Sequence, residues 1–300
     1  MGGASTSASS GVVVPFDPLD VPALAAGAVY LPGEGVEPIA GTDDTLWHSL
    51  AAEVNDASDA HTGHKPVLAT AANGAQYWDL AAGGLYSSWV VDLPGAAYTW
   101  TDKGTYAVWV YLAQNDDKAH IAFAQWPEVM TQGNRVYCQK NIDFTRAAVY
   151  LSRDGFSMDN FNGLDGIGDR SKWNSAWGPD IEPLIDWTGW HFIRVSFDMS
   201  AENYYCPGGG TLCSQKMRFY FDEVYYEGMY SAPHPQWGGA PPDGPVRAIY
   251  PSTYPFSWGA DFAANHFDAI GPAYVARGDE GLSDEVWLQV MAYRAPTGLP

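Results

Sequence analysis

Cysteine and positive charge are what this chain has least of. Its 300 residues hold 3 cysteines, and 15 Lys plus Arg stand against 35 Asp plus Glu, for a formal charge of −20. Three cysteines cannot make the multi-bridge framework that staples small secreted folds. Cys206 and Cys213 bracket a Pro-Gly-Gly-Gly-Thr-Leu loop that a disulfide would close in an oxidising compartment and that keeps two thiols in a reducing one; Cys138 reads as a small buried apolar residue. The shortage of cations leaves no basic cluster to track a phosphate backbone, which argues against nucleic acid as a partner. Long hydrophobic runs are missing as well. No stretch approaches the roughly 18 apolar residues of a membrane helix, so no membrane partner is expected. The first twenty-two residues lack a basic segment, and Pro15, Pro18 and Pro22 interrupt their apolar run, which argues against a secretory signal.

Motifs of common chemistries are also missing. His48, His61, His64, His120, His191, His234 and His266 form no H-x-x-x-H pair, and no C-x-x-C occurs, so no zinc or iron ligand set is spelled out. The glycine run 208–210 has no strand-to-helix setting of the kind that cradles phosphate. What the chain has in abundance is apolar and aromatic side chains, 46% and 14% of residues, with 13 Trp, 18 Tyr, 32 Gly and 21 Pro. That mixture supports a substantial core made of many short strands and tight turns.

The clearest strand lies within residues 186–198, DWTGWHFIRVSFD, where His191, Ile193, Val195 and Phe197 share one face and Trp190, Phe192, Arg194 and Ser196 the other. Residues 216–226, KMRFYFDEVYY, read as a hairpin turning at Asp222 and Glu223. The same alternation marks 105–112, 119–124 and 146–151, and strands at such spacing favour a sandwich in which Ile193, Val195, Phe197, Val108 and Val110 face one core. Residues 43–60 read as either a short helix or a strand and loop.

The Trp-rich turn into WHFIRVSFD followed by RFYFDEVYYEG resembles the LamG, or concanavalin-like, jelly-roll domains, with Glu223 standing where their hairpin has glycine. The run HKPVLATAANGAQYWDLAAGG resembles the opening of bacterial and phage members of that group. Val246, Pro251, Trp258, Asn265, Tyr274 and Asp284 carry a likeness to the segment that follows the jelly roll in tailed-phage virion proteins. The resemblance implies an all-β fold: a concanavalin-like jelly-roll β-sandwich at 41–232, an extended N-terminal arm at 1–40, and a Pro/Gly linker with a β-rich C-terminal extension at 233–300. It implies a bacteriophage virion structural protein of the capsid or tail, assembled in the host cytoplasm as a homo-oligomer among major capsid or tail proteins. A carbohydrate-binding module for glycan attachment is the alternative, and a polysaccharide-cleaving enzyme a third reading.

Sequence also nominates individual residues. Trp126, Trp173, Trp177, Trp237 and Trp258 stand in loop-like contexts, where Trp anchors protein or sugar contacts or else caps the ends of a core. Asp154, Asp159, Asp165 and Asp169 offer oxygen ligands suited to calcium, without EF-hand spacing; no other cofactor is expected. Asp222, Glu223 and Glu227 are badly spaced for glycoside hydrolysis, which needs carboxyls about 5 or 6.5–9.5 Å apart, so no catalytic residue is expected. The apolar triplets 12–14 and 29–31 among prolines suggest an arm that orders against its own domain or a partner. On the partner reading, deleting residues 1–40 would leave the melt nearly unchanged and abolish loading onto particles.

Overall fold

The computed structural model describes residues 15–51, 57–59, 65–83, 89–91, 103–113, 119–125, 135–140, 147–152, 170–174, 188–198, 204–205, 212–213, 216–222, 224–231, 256–258, 265–277 and 282–298, in some strands by backbone alone. They are mostly antiparallel β-strands, with few helices.

The first sheet is built outward from β8 (Lys103–Leu112), whose alternating apolar residues give both of its faces something to bury. On one side β8 pairs along its length with β13 (Gly189–Asp198), with Ile193 opposite Val108 and His191 opposite Val110. Beyond β13 come β16 (Lys216–Phe221) and β17 (Val224–Ser231). On the other side β8 pairs with β20 (Ala269–Arg277), whose far edge is shared by β1 (Ala28–Tyr30) and β6 (Gln76–Asp79); β6 in turn pairs with β5 (Val67–Thr70).

The second sheet runs β2 (Val36–Pro38), β3 (Thr45–Trp47), β4 (Ala57–Ser58), β7 (Trp89–Val91), β18 (Phe256–Trp258), β9 (Ala119–Gln125), β10 (Arg135–Lys140), β11 (Ala147–Ser152) and β12 (Arg170–Asn174). A short β19 (Asn265–His266) lies parallel to β9. β17 belongs to both sheets: Val224 to Gly228 pair with β16, while Met229 and Ser231 pair with β12. β14 (Tyr204–Tyr205) and β15 (Leu212–Cys213) form a separate pair.

Between the sheets sits an aromatic cluster. Tyr30 and Trp78 from the first sheet meet Trp47, Trp89 and Trp258 from the second, with ring centroids 4.7 to 6.0 Å apart along the chain of contacts. Ile193, Val108 and Val110 are buried, and Val108 and Ile193 share a register position. The side chains of Val195 and Phe197 lie outside the described residues.

The opposite face of the first sheet is covered by two segments distant in sequence. From the N-terminal side come a 3₁₀ turn at Pro18–Asp20, α1 (Pro22–Ala25) and β1, which bring Leu24, Val29 and Leu31 onto Trp109, Phe192 and Tyr274. From the C-terminal side comes α3 (Asp284–Ala292), which adds Trp287 and Val290; α2 (Leu80–Gly83) is a single turn after β6. Ser283 caps α3 by accepting from the Val286 amide at 3.4 Å, and Asp284 and Glu285 place negative charge at its N-terminus.

Two placements bear on the expected organisation. Of the alternatives open for the N-terminal arm, its own domain or a partner, the described part takes the first: Val29 pairs with Tyr274, and Leu24 and Ala28 to Leu31 are buried in the core. The C-terminal extension is likewise interleaved with the sheet, because β20 lies between β8 and β1, and it ends in a helix. The physical reason is shared: an apolar sheet face needs a cover, and the two ends of the described chain supply it.

Candidate functional site

Strand β20 carries Gly271 and Pro272 in its middle, where its register against β8 shifts between Ile270 and Ala273. Proline has no amide to give a ladder, so a strand that contains it bulges. At the bulge the far edge of β20 changes partner, from β6 at Ala269 and Ile270 to β1 at Ala273 to Val275. The gap between β6 and β1 opens into a cleft of about 520 Å³.

Three other segments complete its walls. Leu31 and Pro32 follow β1; Thr70, Asn73 and Gln76 come from the β5–β6 hairpin; and Arg294 follows α3. The hairpin turn is fixed by Ala71 N donating to Ala75 O at 2.8 Å and Gly74 N to Ala71 O at 2.9 Å, with Gly74 at φ +85°. That is a three-residue connection closed by a left-handed glycine. The tail after α3 is clasped to this turn: Asn73 Nδ2 donates to Ala295 O at 2.8 Å and Asn73 Oδ1 accepts from Thr297 N at 3.2 Å. Gly33, at φ +80°, lies against the Gln76 amide, and a Cβ there would collide with it.

Among the described residues the one ionic group on the cleft wall is Arg294, and Glu34 holds its guanidinium in an ion pair. Partial burial pulls the Arg294 pKa down, but the hydrogen bond and charge of Glu34 more than offset this and hold it above the ordinary value. The Thr70 hydroxyl and the Gln76 amide make no hydrogen bond to other described residues and are exposed. Among the described residues no carboxylate lines the cleft. These residues offer neutral donors and acceptors beside flat apolar proline surfaces, with no acid–base pair among them.

A second arrangement lies at the residues singled out in sequence. The β16–β17 hairpin turns at Asp222, with Phe221 opposite Val224. Asp222 takes a positive φ, +52°. Its carboxylate offsets that strain: Oδ2 lies 2.9 Å from His191 Nδ1, and Oδ1 accepts from Phe192 N at 2.8 Å. His191 Nε2 also lies 3.2 Å from Thr188 O, so both ring nitrogens face oxygens. This arrangement locks a turn to a strand.

Of the sequence-nominated tryptophans, Trp258 is fully buried in the inter-sheet cluster and presents no contact surface, because its strand places it between Tyr30 and the second sheet. Trp173 pairs in β12 through its backbone, opposite Val149; its side chain, together with Trp126, Trp177 and Trp237, lies outside the described residues. So do Asp154, Asp159, Asp165 and Asp169, the calcium candidates, and Glu223, the Glu227 side chain and Cys206. Among the described residues no cluster of three or more His, Cys, Asp or Glu could hold a metal, and no helix is long and apolar enough to cross a membrane. Tyr274 and Asp284, which carry part of the phage likeness, have places in the fold: Tyr274 is buried under α3, and Asp284 pairs with Arg194 at 3.1 Å.

Sequence reasoning missed Glu34, Thr70, Gln76 and Arg294. The Asn73-Gly74 turn was the one local signal pointing near them.

No family model and no curated protein matches the chain. Solved structures do. The binding domain of botulinum neurotoxin DC in complex with rat synaptotagmin II is 9% identical, with a TM-score of 0.48 over 90% of this chain and 52% of that one. Full-length tailspike protein 2 from Escherichia coli O157:H7 bacteriophage CAB120 is 10% identical, with a TM-score of 0.44 over 72% of this chain and 25% of that one. The Ruminococcus gnavus IT-sialidase CBM40 bound to α2,3 sialyllactose is 7% identical, with a TM-score of 0.39 over 75% and 96%. The chain spans about half the length of the first of these. At such TM-scores the functional reading rests on this chain's own residues.

Proposed function

We propose that this chain is a carbohydrate-binding module on a concanavalin-like jelly-roll sandwich, carried as a structural component of a bacteriophage particle. The observation that carries the binding half is the cleft: an amide and a hydroxyl without other partners among the described residues, set beside Pro32 and Pro272. Sugars present hydroxyls along their edges and C–H groups on their faces, and a wall of this kind satisfies both. Hydrolysis would need two carboxyls flanking the ligand, and none is among the described residues of the cleft wall. Our reading is of glycan held without cleavage. The particle half is supported by the residue patterns of the sequence, with other virion proteins as the neighbours it implies.

The test uses the whole chain on a glycan panel, followed by calorimetry with the Thr70→Ala/Gln76→Ala double variant. A glycan that binds the native protein is expected to bind the variant about tenfold or more weaker, the equivalent of about 1.4 kcal/mol. No reducing ends are expected to be released. Equal binding by both proteins would place the ligand elsewhere, and absence of any glycan binding would end the reading.

A further inference from the structure

We infer that Glu34 sets the charge selectivity of the cleft: by holding Arg294 it makes the site one for neutral oligosaccharides and turns away their carboxylated counterparts. This rests on the carbohydrate-binding reading of the same cleft. Arg294 is the single ionic side chain among the described residues of the cleft wall. A guanidinium left free in a sugar cleft is a fork for carboxylates, able to donate two parallel hydrogen bonds to one. Here Glu34, which is itself a carboxylate, already takes the Nη1 arm of the fork through Oε1.

Both members of the pair are held by unusual backbone. Tyr293 caps α3, so Arg294 occupies the next position, the one where a helix commonly ends on a left-handed glycine. It has φ +51° all the same. An L-residue there is strained relative to glycine, so an arginine at this point is held against local strain. The tail beyond it is pinned by Asn73 to Ala295 and Thr297, which over-determines the conformation. Glu34 sits in a tight turn, its amide donating to Leu31 O at 3.0 Å, between Gly33 at φ +80° and Gly35 at φ +62°. Those glycines bring the turn close enough for a pair spanning 260 residues of sequence. With the pair closed the cleft is neutral, and the −20 charge of the whole chain disfavours an acidic ligand further.

The experiment measures affinities of the full chain for neutral oligosaccharides of glucose, galactose and mannose and for the corresponding uronates. The native protein is expected to prefer the neutral member of the pair it binds best by about tenfold or more. In Glu34→Gln the freed guanidinium is expected to narrow or invert that ratio by about tenfold, and the gain for the uronate should shrink as salt rises from about 0.05 to about 0.5 M. The double variant Glu34→Gln/Arg294→Gly, with glycine suited to the left-handed backbone, should return to the native preference. If Glu34→Gln does not fold, judged by its melt, Arg294→Gly alone should reject uronates at least as strongly as the native chain. A native protein that binds uronates as tightly as neutral sugars overturns the inference and leaves the carbohydrate reading standing. So does a folded Glu34→Gln with an unchanged ratio, or an Arg294→Gly that gains affinity for uronates. Failure to bind any sugar of either kind removes both.

Discussion

On the face of the first sheet that meets the second, the packing is ring against ring: Tyr30, Trp47, Trp78, Trp89 and Trp258 fill the space between. Trp47 Nε1 reaches Leu31 O at 3.0 Å, but Trp78 and Trp89 find no acceptor among the described residues. On the other face the polar tips are used as fasteners. Trp109 Nε1 donates to Met291 O at 3.1 Å, the Tyr274 hydroxyl to Tyr293 O at 3.4 Å, and buried Arg194 stacks on Tyr220 while pairing with Asp284. One face is held by area and shape; the other is tied, residue by residue, to chain that arrives from the two ends. A sheet can thus take its cover from the terminal segments, provided that hydrogen bonds fix where they lie.

The largest expected effect comes from cutting one of those segments. Deleting residues 1–40 removes Leu24, Val29, Tyr30 and Leu31, none more than 2% exposed, together with the β1 edge of the sheet. At about 1.5–3 kcal/mol for each large apolar side chain, the loss is comparable with the whole stability of a typical domain, about 5–15 kcal/mol. The truncated protein is expected to lose its cooperative melt in calorimetry. A melt within a few degrees of the native one would mean that α3 alone closes the outer face.

A finer test exchanges one indole on each face. Trp109→Phe strands the Met291 carbonyl, whereas Trp89→Phe removes a donor that has no acceptor among the described residues. Both lose similar ring area, so Trp109→Phe is expected to be about 1 kcal/mol the more costly in denaturant melts. Equal costs would erase the distinction between fastened and packed faces.

The smallest effect is a pH dependence. The outer face hides its ion with a charged partner, but beside the second sheet Asp59 is buried with a backbone donor, accepting from Thr45 N at 2.7 Å. Burial raises its pKa, against the opposing Thr45 bond and the charge of Lys65. A carboxyl whose folded pKa is raised gives stability that is full below the unfolded value, about 4, and is lost as pH climbs through the folded one. Asn keeps the acceptor and does not ionise. The melting temperature of Asp59→Asn minus that of the native protein is therefore expected to rise as pH climbs from about 4 towards neutrality. A flat difference would show that the carboxylate is as well accommodated as the acid.

Much of the sheet centre was legible in sequence, because β8 and β13 alternate cleanly and the hairpin at Asp222 is flanked by aromatic runs. Its edge was not. β20 contains Gly271 and Pro272, which read as punctuation until the bulge is seen to accommodate them; β1 is three residues long; and α3 offers only nine residues of periodicity, although Ser283, Asp284 and Glu285 spell its start. Trp258 looked like loop because its strand is short and follows a proline-rich stretch. The cleft was illegible for a different reason. Glu34, Gln76 and Arg294 are ordinary residues that acquire a common role only when three distant segments meet at the bulge.

The meeting of the two covering segments has a mechanical side. The rings of Phe16 and Tyr293 touch edge to face with centroids 6.0 Å apart, so a load carried through the described ends enters and leaves the domain at nearly one point. β1 and β20 are antiparallel, and Ala28 opposite Val275 is the pair at the loaded end, followed by Val29 with Tyr274 and Tyr30 with Ala273. Tension there opens the pairs one after another, like a zip, and reaches the aromatic interior only at Tyr30, the last of them.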